Sequence, residues 1–155
     1  MGPIEGVLIR NLKKIEDPRG WLAELFRQDE LSKEILPAMA YASLTKPGTQ
    51  RGPHEHEGQT DYFCFFGPSD FRIVLWDNRP SSSTYGNKVS ELVGQDRPAV
   101  VIVPPGVVHT YKNVGKVEGL VVNCPNRLYA GKDRKEKVDE IRHEENGDSP
   151  FRLEE

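Results

Sequence analysis

The sequence predicts an all-β domain, and three observations lead to that fold class. Short runs of β-favouring residues, each about four to eight residues long, recur between turn residues. Glycine and proline, with 14 and 12 copies, interrupt the chain throughout its 155 residues. Helical periodicity is confined to two short segments. Such a succession of runs is typical of a closed barrel or a sandwich, and not of a sheet with helical crossovers.

Nine strands are predicted in chain order, and each ends where turn-forming residues begin. Within the predicted strand 61–66, residues 62–66 are apolar or aromatic on both faces. We therefore expect one face of it inside a barrel and the other against a second layer or a partner subunit. The predicted strands are 6–9, 21–27, 39–45, 61–66, 71–76, 88–93, 100–103, 107–112 and 119–124.

Both predicted helical segments are short. Residues 29–36 predict a turn and a half of helix, with Asp29 as the N-cap and Pro37 as the stop. Residues 134–143 carry one narrow apolar stripe among mixed charges, which favours at most a surface helix. The end of the chain is polar and is expected to lie on the surface or fray.

No linker or internal repeat divides the chain, which predicts a single domain. The expected organisation is one domain over residues 1–155, with N-terminal strands within 6–28, a barrel core within 39–124 and a polar C-terminal tail at 130–155.

Composition excludes several classes of protein. The 21 basic and 24 acidic residues leave a net charge of −3, which argues against a nucleic-acid partner. No apolar run is long enough to span a membrane, and the N-terminus shows no secretory signal. Cys64 and Cys124 stand apart within predicted strands, so we expect buried free thiols and not a zinc finger. These observations predict a cytoplasmic protein.

Three of the four histidines fall in two compact clusters. The first cluster is residues 48–56, which contain His54 and His56, and Asp61 follows five residues later. The second is residues 104–109, which end in His109. Because residues two apart on a strand share a face, His54 and His56 are expected to point into the barrel together.

The two clusters resemble the two motifs of the cupin superfamily. Gly48 is followed by five residues and then by His54-Glu55-His56, with Asp61 in the place of the motif's acid. Residues 104–113 match the second pattern of Pro-x-Gly, two residues, His, three residues and Asn. The resemblance implies a double-stranded β-helix, the cupin jelly-roll barrel, followed by a short C-terminal surface helix or tail.

Four further stretches resemble the dTDP-4-dehydrorhamnose 3,5-epimerase family within the cupins. They follow in order and span much of the chain: Asp17–Glu24, Arg51–His54, Ser83–Gly86 and Val103–His109. This resemblance implies an enzyme acting on a sugar nucleotide, which is usually a homodimer and requires no cofactor.

The resemblance also implies roles for individual residues. Arg51 would hold the diphosphate and His54 would be the catalytic base, since a neutral imidazole can remove a proton next to a keto group. His56 or a water would return the proton. Arg19 and Glu24 would contact substrate near a dimer interface. His109 and Asn123 would also line the substrate site.

The chain departs from the family pattern at three places. The family's active-site lysine falls at Asp61, and its tyrosine acid falls at or beside Asn123. The aspartate that orients the catalytic histidine has no evident counterpart, because it lies in a C-terminal extension. His54 and His56 also resemble the paired histidines of sugar-nucleotide ketoisomerases, which transfer protons without a metal.

Two other functions stay open at this stage. His54, His56, Asp61 and His109 form a three-histidine, one-carboxylate set that suits Zn, Mn, Fe, Ni or Cu in an enzyme acting on a small sugar or carbonyl compound. A non-catalytic module that binds a sugar nucleotide is the other alternative. The family motifs favour an enzyme, and proton abstraction by His54 is the leading hypothesis.

Overall fold

The computed structural model describes residues 2–154, which form two five-stranded antiparallel sheets facing each other and a small hairpin. The strands in chain order are β1 (Leu8–Asn11), β2 (Ile15–Asp17), β3 (Gly20–Leu22), β4 (Tyr41–Thr45), β5 (Gln50–Glu55), β6 (Asp61–Phe65), β7 (Asp70–Asp77), β8 (Lys88–Gly94), β9 (Ala99–Val103), β10 (Val107–Asn113), β11 (Gly119–Asn123) and β12 (Ile141–Arg142). Sheet I has the order β1-β9-β6-β11-β4 and sheet II the order β12-β5-β10-β7-β8, while β2 pairs with β3 alone. The predicted all-β jelly roll is confirmed.

The space between the sheets is filled by side chains that alternate along the strands. Phe63 and Phe65 of β6 point inward and join Phe71, Leu75 and Tyr111 of sheet II in the main core. Each of these residues is at least 96% buried, so the core contributes the bulk of the hydrophobic stabilisation. This core fixes the distance between the sheets, and thereby the position of any side chain that bridges them.

The outer face of each sheet is covered by the chain itself. Tyr62 and Cys64 on the outside of β6 pack with Leu25 and Ile35, which precede β4. Trp76 on the outside of sheet II packs with Phe151 near the C-terminus. The two apolar faces expected for residues 62–66 are therefore both buried within one chain.

Both helix predictions are wrong. Residues 29–36 form two separate 3₁₀ turns, Gln28–Glu30 and Lys33–Ile35, and the carboxylate of Asp29 pairs with Arg27 at 2.7 Å instead of capping a helix. Residues 134–143 contain no helical turn longer than three residues; their end forms β12, which pairs with β5. The edge of β5 offers unpaired backbone groups, and pairing with them outweighs the weak helical tendency of a charged segment.

The polar C-terminal segment, in residues 130–154, lies on the surface of the barrel and packs against it. Ser149 is buried, and Phe151 contacts the ring of His143 as well as Trp76. A segment can be polar in composition and still be ordered when its polar groups find partners in the domain.

Eight of the nine predicted strands form, with boundaries shifted by up to two residues, while the run 21–27 ends as a strand at Leu22. β2, β5 and β12 were not among the predicted runs. β5 contains Gly52 and Pro53, which ordinarily indicate a turn. Cys64 and Cys124 are buried free thiols, as expected. Within residues 2–154 no helix is long and apolar enough to cross a membrane.

Candidate functional site

Two histidines of sheet II, and a third that directly follows β5, meet one carboxylate from sheet I near one end of the barrel. Nε2 of His56 lies 2.9 Å from Oδ2 of Asp61, and Nε2 of His109 lies 3.1 Å from the same oxygen. His54 stands opposite His109 in the β5–β10 register, with ring centroids 4.5 Å apart. The candidate ligand atoms of all four residues lie within 4.8 Å of one another. Asp61 therefore joins the cluster although its spacing from His56 is irregular for the motif.

The close approach of β5 and β10 depends on Gly52. Its φ of +88° is a conformation that side chains rarely adopt, and a Cβ there would lie 2.7 Å from the carbonyl oxygen of His109. The glycine of the Arg-Gly dipeptide that precedes Pro53 and His54 is thus required by backbone geometry, because only glycine lets the two histidine-bearing strands lie this close.

The turn between β5 and β6 is held by the C-terminal segment. The carboxylate of Asp139 accepts hydrogen bonds from the backbone N–H groups of Glu57, Gly58 and Gln59, at 2.7, 2.9 and 3.0 Å. These bonds fix the turn that separates His56 from Asp61, which is why five residues of spacing bring the two side chains together. Hydrogen bonds to a charged acceptor are among the stronger ones in proteins.

Backbone carbonyls orient two of the imidazoles. Nδ1 of His109 lies 3.0 Å from the carbonyl oxygen of Val107, and Nδ1 of His56 contacts the carbonyl oxygen of Asp139. Both rings therefore turn Nε2 towards Asp61. Among the described residues, Oδ2 of Asp61 and Nε2 of His109 have no well-aligned hydrogen-bond partner, so their contact is electrostatic in character.

The ionisable side chains of the cluster differ in protonation state because each has different contacts. Burial favours the neutral form of Asp61, yet its contacts with His109 and His56 outweigh burial and hold its pKa well below the usual range. Burial also opposes the charged form of His56, but the contact with Asp61 raises the pKa of His56 to about 9. Burial, and then the electrostatic influence of the neighbouring imidazoles of His109 and His56, lower the pKa of His54 to about 2. At neutral pH, His56 is an imidazolium and His54 is a neutral imidazole.

Asn123 lies beneath the cluster and connects it to Tyr41. Its Oδ1 accepts the backbone N–H of Tyr62 at 2.9 Å, which fixes the orientation of the amide. Its Nδ2 then donates to Oδ1 of Asp61 and to the Tyr41 hydroxyl, both at 2.9 Å. Gln59 donates to the same Asp61 oxygen at 2.8 Å. Asn123, expected to contact substrate, has both of its amide groups engaged by the protein.

A cavity of about 750 Å³ opens beside this network. Its inner wall includes Tyr41, His56 and Gln59, and its outer wall is formed by residues 125–142. The volume is within the range of about 300–1,000 Å³ that is usual for small-molecule sites. Its wall carries three acidic residues, Glu136, Asp139 and Glu140, and five cationic ones, Arg127, Lys132, Arg134, Lys137 and Arg142. Asp139 and Glu140 pair with Arg127 and Arg142, whereas Lys132, Arg134 and Lys137 have no carboxylate in ion-pair range in residues 2–154, so the excess of positive charge suits an anionic ligand.

Three residues expected at the site lie away from this cavity. The Arg51 guanidinium donates to the Thr45 hydroxyl at 3.0 Å and to the carbonyl oxygen of Leu44 at 2.9 Å. Arg19 pairs with Asp17 at 2.6 Å, and its side chain is 90% exposed. Glu24 is exposed in the segment after the β2–β3 hairpin. Within one chain, none of the three lines the cavity. Of the residues expected at the site only His56 lines it directly, and His54 adjoins it through Glu140, which is a lining residue 3.9 Å from Nδ1 of His54.

Sequence reasoning missed the C-terminal half of the site. Oε1 of Glu140 lies 3.9 Å from Nδ1 of His54, so a carboxylate does accompany this histidine. His143, which carried no expectation, lies outside the cluster and the cavity lining and places Nε2 2.8 Å from Oε1 of Glu55. Tyr41 was missed as well. No periodicity marks these residues, and only the pairing of β12 with β5 and of β4 with β11 reveals them.

Comparisons of the sequence and of the fold with known proteins agree on one family. A family model described as dTDP-4-dehydrorhamnose 3,5-epimerase matches residues 2–141. The chain is 36% identical over 139 residues to the probable low-salt glycan biosynthesis epimerase Agl13 of Haloferax volcanii, covering 88% of each protein. It is 34% identical over 128 residues to the spore coat polysaccharide biosynthesis protein SpsL of Bacillus subtilis, covering 81% of this chain and 82% of that protein. In fold it is similar to a dTDP sugar isomerase from Desulfovibrio desulfuricans G20, with a TM-score of 0.83, 22% identity and coverage of 96% and 91%.

The pairing of His56 with Asp61 predicts a pH-dependent stability. Because folding raises the pKa of His56 from 6.5 to about 9, the stabilisation is complete below pH 6.5 and is lost as the pH rises through about 9. A shift of this size corresponds to at most about 3 kcal/mol. We expect the free energy of unfolding, measured with urea across this pH range, to fall more steeply in the wild type than in His56→Gln. Equal slopes in the two proteins would contradict the pairing.

Proposed function

We propose that this chain, which belongs to the dTDP-4-dehydrorhamnose 3,5-epimerase family, is a sugar-nucleotide epimerase that inverts a carbon next to a keto group. The observation that carries the proposal is His54, a neutral imidazole in the barrel interior with 16% of its side chain exposed and a carboxylate 3.9 Å from Nδ1. Enzymes of the family act without a cofactor, in agreement with the expectation that none is required.

The proposed reaction begins with proton transfer from carbon to His54. As the C–H bond breaks, its electron pair forms a C=C bond and the keto oxygen becomes an enolate. Glu140 stabilises the imidazolium that forms at His54, as a carboxylate does beside other catalytic histidines. His56 lines the cavity as a second, permanent imidazolium and stabilises the enolate charge. We thus assign His56 an electrostatic role, where the sequence suggested proton donation. A proton returned to the opposite face of the carbon completes the inversion.

The diphosphate of the substrate is proposed to bind at residues 127–137 and not at Arg51. Arg51 is held by Thr45 and Leu44, whereas Lys132, Arg134 and Lys137 line the same cavity as His56 and have no ion-pair partner among the described residues. A diphosphate would neutralise these charges at the cavity wall.

Two further parts of the proposal concern assembly and location. We propose a homodimer, because Arg19 and Glu24, for which the family resemblance implies substrate contacts near a dimer interface, do not line the cavity of their own chain. The β2–β3 hairpin also exposes Ile15 (54%) and Leu22 (62%), which a second copy could cover.

For the cellular location we propose the cytoplasm, because Cys64 and Cys124 are buried free thiols, which is usual in a reducing compartment.

Solvent deuterium tests the epimerase. In heavy water we expect the wild type to introduce deuterium next to the keto group of dTDP-4-keto-6-deoxyhexoses, detected by NMR. His54→Gln removes the base, so exchange should fall at least about a hundredfold. His143→Gln is the matched control, because this histidine contacts Glu55 outside the cluster. Tight binding of these sugars without any exchange would favour the non-catalytic binding module instead.

Charge removal tests the diphosphate position. We expect Lys132→Gln/Lys137→Gln to weaken the binding of dTDP by about tenfold in titration calorimetry, because two attractive charges are lost. The matched control is Lys46→Gln/Lys116→Gln, which removes the same charge from turns at the other end of the barrel, after β4 and after β10. Equal weakening in both variants, or none in the first, would contradict the assignment.

A metal-dependent enzyme is a second candidate, favoured by the cluster itself. Oδ2 of Asp61 and Nε2 of His109 are buried without an aligned partner, and the Nδ1 atoms of His56 and His109 face backbone carbonyls. Outer hydrogen bonds of this kind orient metal-ligating histidines, so His54, His56, Asp61 and His109 fit a divalent Zn, Mn, Fe, Ni or Cu ion. Such an ion would polarise a substrate carbonyl.

Elemental analysis separates the two candidates. A metalloenzyme predicts about one equivalent of one of these metals in untagged protein purified without chelator, and its loss in His109→Ala. His143→Ala, outside the cluster, should retain it. Protein that contains no metal and exchanges solvent deuterium would exclude the metal-dependent candidate and leave the epimerase standing.

A further inference from the structure

Inversion of a carbon centre needs two proton-handling groups. The base takes a proton from one face, and a proton must arrive on the other face, so a single fixed side chain cannot do both. His54 belongs to β5 in sheet II. The partner should therefore be a proton donor carried by sheet I, reaching the cavity from the opposite side.

Tyr41 is a phenol in that position. It is the first residue of β4, the edge strand of sheet I, and it lines the same cavity as His56. A continuous chain of contacts crosses from one sheet to the other through Tyr41, Asn123, Asp61 and His109. His109 in turn lies against His54, with ring centroids 4.5 Å apart. Tyr41 and His54 are thus the two ends of one network.

The hydrogen bond to Asn123 determines the direction of the Tyr41 proton. Because Oδ1 of Asn123 accepts from the backbone of Tyr62, the group facing the phenol is Nδ2, which can only donate. The Tyr41 oxygen therefore accepts, and its own O–H finds no acceptor among residues 2–154. With 47% of the residue exposed, that proton is available to a ligand in the cavity.

We propose that Tyr41 is the acid of the epimerisation, donating its phenolic proton to the carbon on the face opposite His54. The assignment rests on the proposed epimerase function. In this step the O–H bond of Tyr41 breaks and a C–H bond forms with the electron pair of the enolate, which restores the keto group. The phenolate oxygen is left facing Nδ2 of Asn123, and it regains a proton from solvent through the open cavity. His54 releases its proton to solvent in the same way.

The surroundings of Tyr41 suit a neutral donor. Burial raises the pKa of Tyr41 to about 12, so the phenol is protonated at neutral pH, while the hydrogen bond from Asn123 acts in the opposite direction and stabilises the phenolate once formed. His56 is less suited to donation, because both of its ring nitrogens already face oxygen acceptors on Asp139 and Asp61.

The test separates deprotonation from delivery of the new proton. Tyr41→Phe removes one oxygen and keeps the ring; Tyr85→Phe is the matched control, since Tyr85 is exposed in the turn before β8 and away from the cavity. Each protein is incubated in heavy water with dTDP-4-keto-6-deoxyhexoses. NMR then measures deuterium in the sugar of unchanged configuration and in the inverted sugar separately, and thermal unfolding checks the fold of each variant.

We expect Tyr41→Phe to lose inversion by about a hundredfold or more while deuterium still enters with retained configuration, because His54 can return a deuteron to the face it serves. Tyr85→Phe should match the wild type in both. Inversion at the wild-type rate in Tyr41→Phe would overturn the assignment, as would an equal loss of exchange and inversion in a folded Tyr41→Phe. Either of those results would leave the proposed epimerase function unaffected. Absence of both signals in the wild type would instead remove the proposed function, and this assignment with it.

Discussion

The buried carboxylate of Asp61 is the constraint on which the rest of the site depends. It is 1% exposed, and an ionised carboxylate inside a protein is tolerated only when opposite charge and hydrogen-bond donors surround it. Two imidazoles from the opposite sheet approach one oxygen, and the amides of Asn123 and Gln59 donate to the other. Each of these partners is held in place by its contact with Asp61, and Asn123 in turn holds the hydroxyl of Tyr41.

The same carboxylate contributes to the difference in charge between His54 in β5 and His56, which directly follows that strand. His56 is in contact with Asp61 and has a pKa of about 9, whereas His54, two residues away, has a pKa of about 2. Asp61 stabilises the charged form of His56, whereas burial is the main reason that His54 is neutral, and the neighbouring imidazoles add to its effect. Neighbouring groups whose pKa values are driven apart supply acid and base, or charge and base, within one site.

The C-terminal segment encloses a cavity beside this cluster. Asp139 holds the turn before Asp61 and orients His56 through its carbonyl, and Glu140 lies beside His54. The same segment forms the outer wall of the cavity, and this wall carries lysines and arginines. The segment is anchored at its far end by Phe151 on Trp76, so a polar stretch is held by few apolar contacts and many specific hydrogen bonds.

The sequence by itself determined the β architecture and the three cluster histidines. The alternation of side chains along β10 and the turn residues between strands depend only on neighbouring residues, so they can be recognised from one sequence. It also indicated His54 and His56 on one face, because two residues of separation on a strand permit nothing else.

Only the tertiary structure decided which groups complete the site. Asp61 joins His56 because Asp139, 82 residues after Glu57, holds the intervening turn. Tyr41 meets Asn123 through the register of β4 and β11, which is set by packing between distant segments and leaves no trace in the spacing of either. The C-terminal strand was hidden for a similar reason: its stability comes from backbone pairing with β5 and not from an apolar pattern of its own.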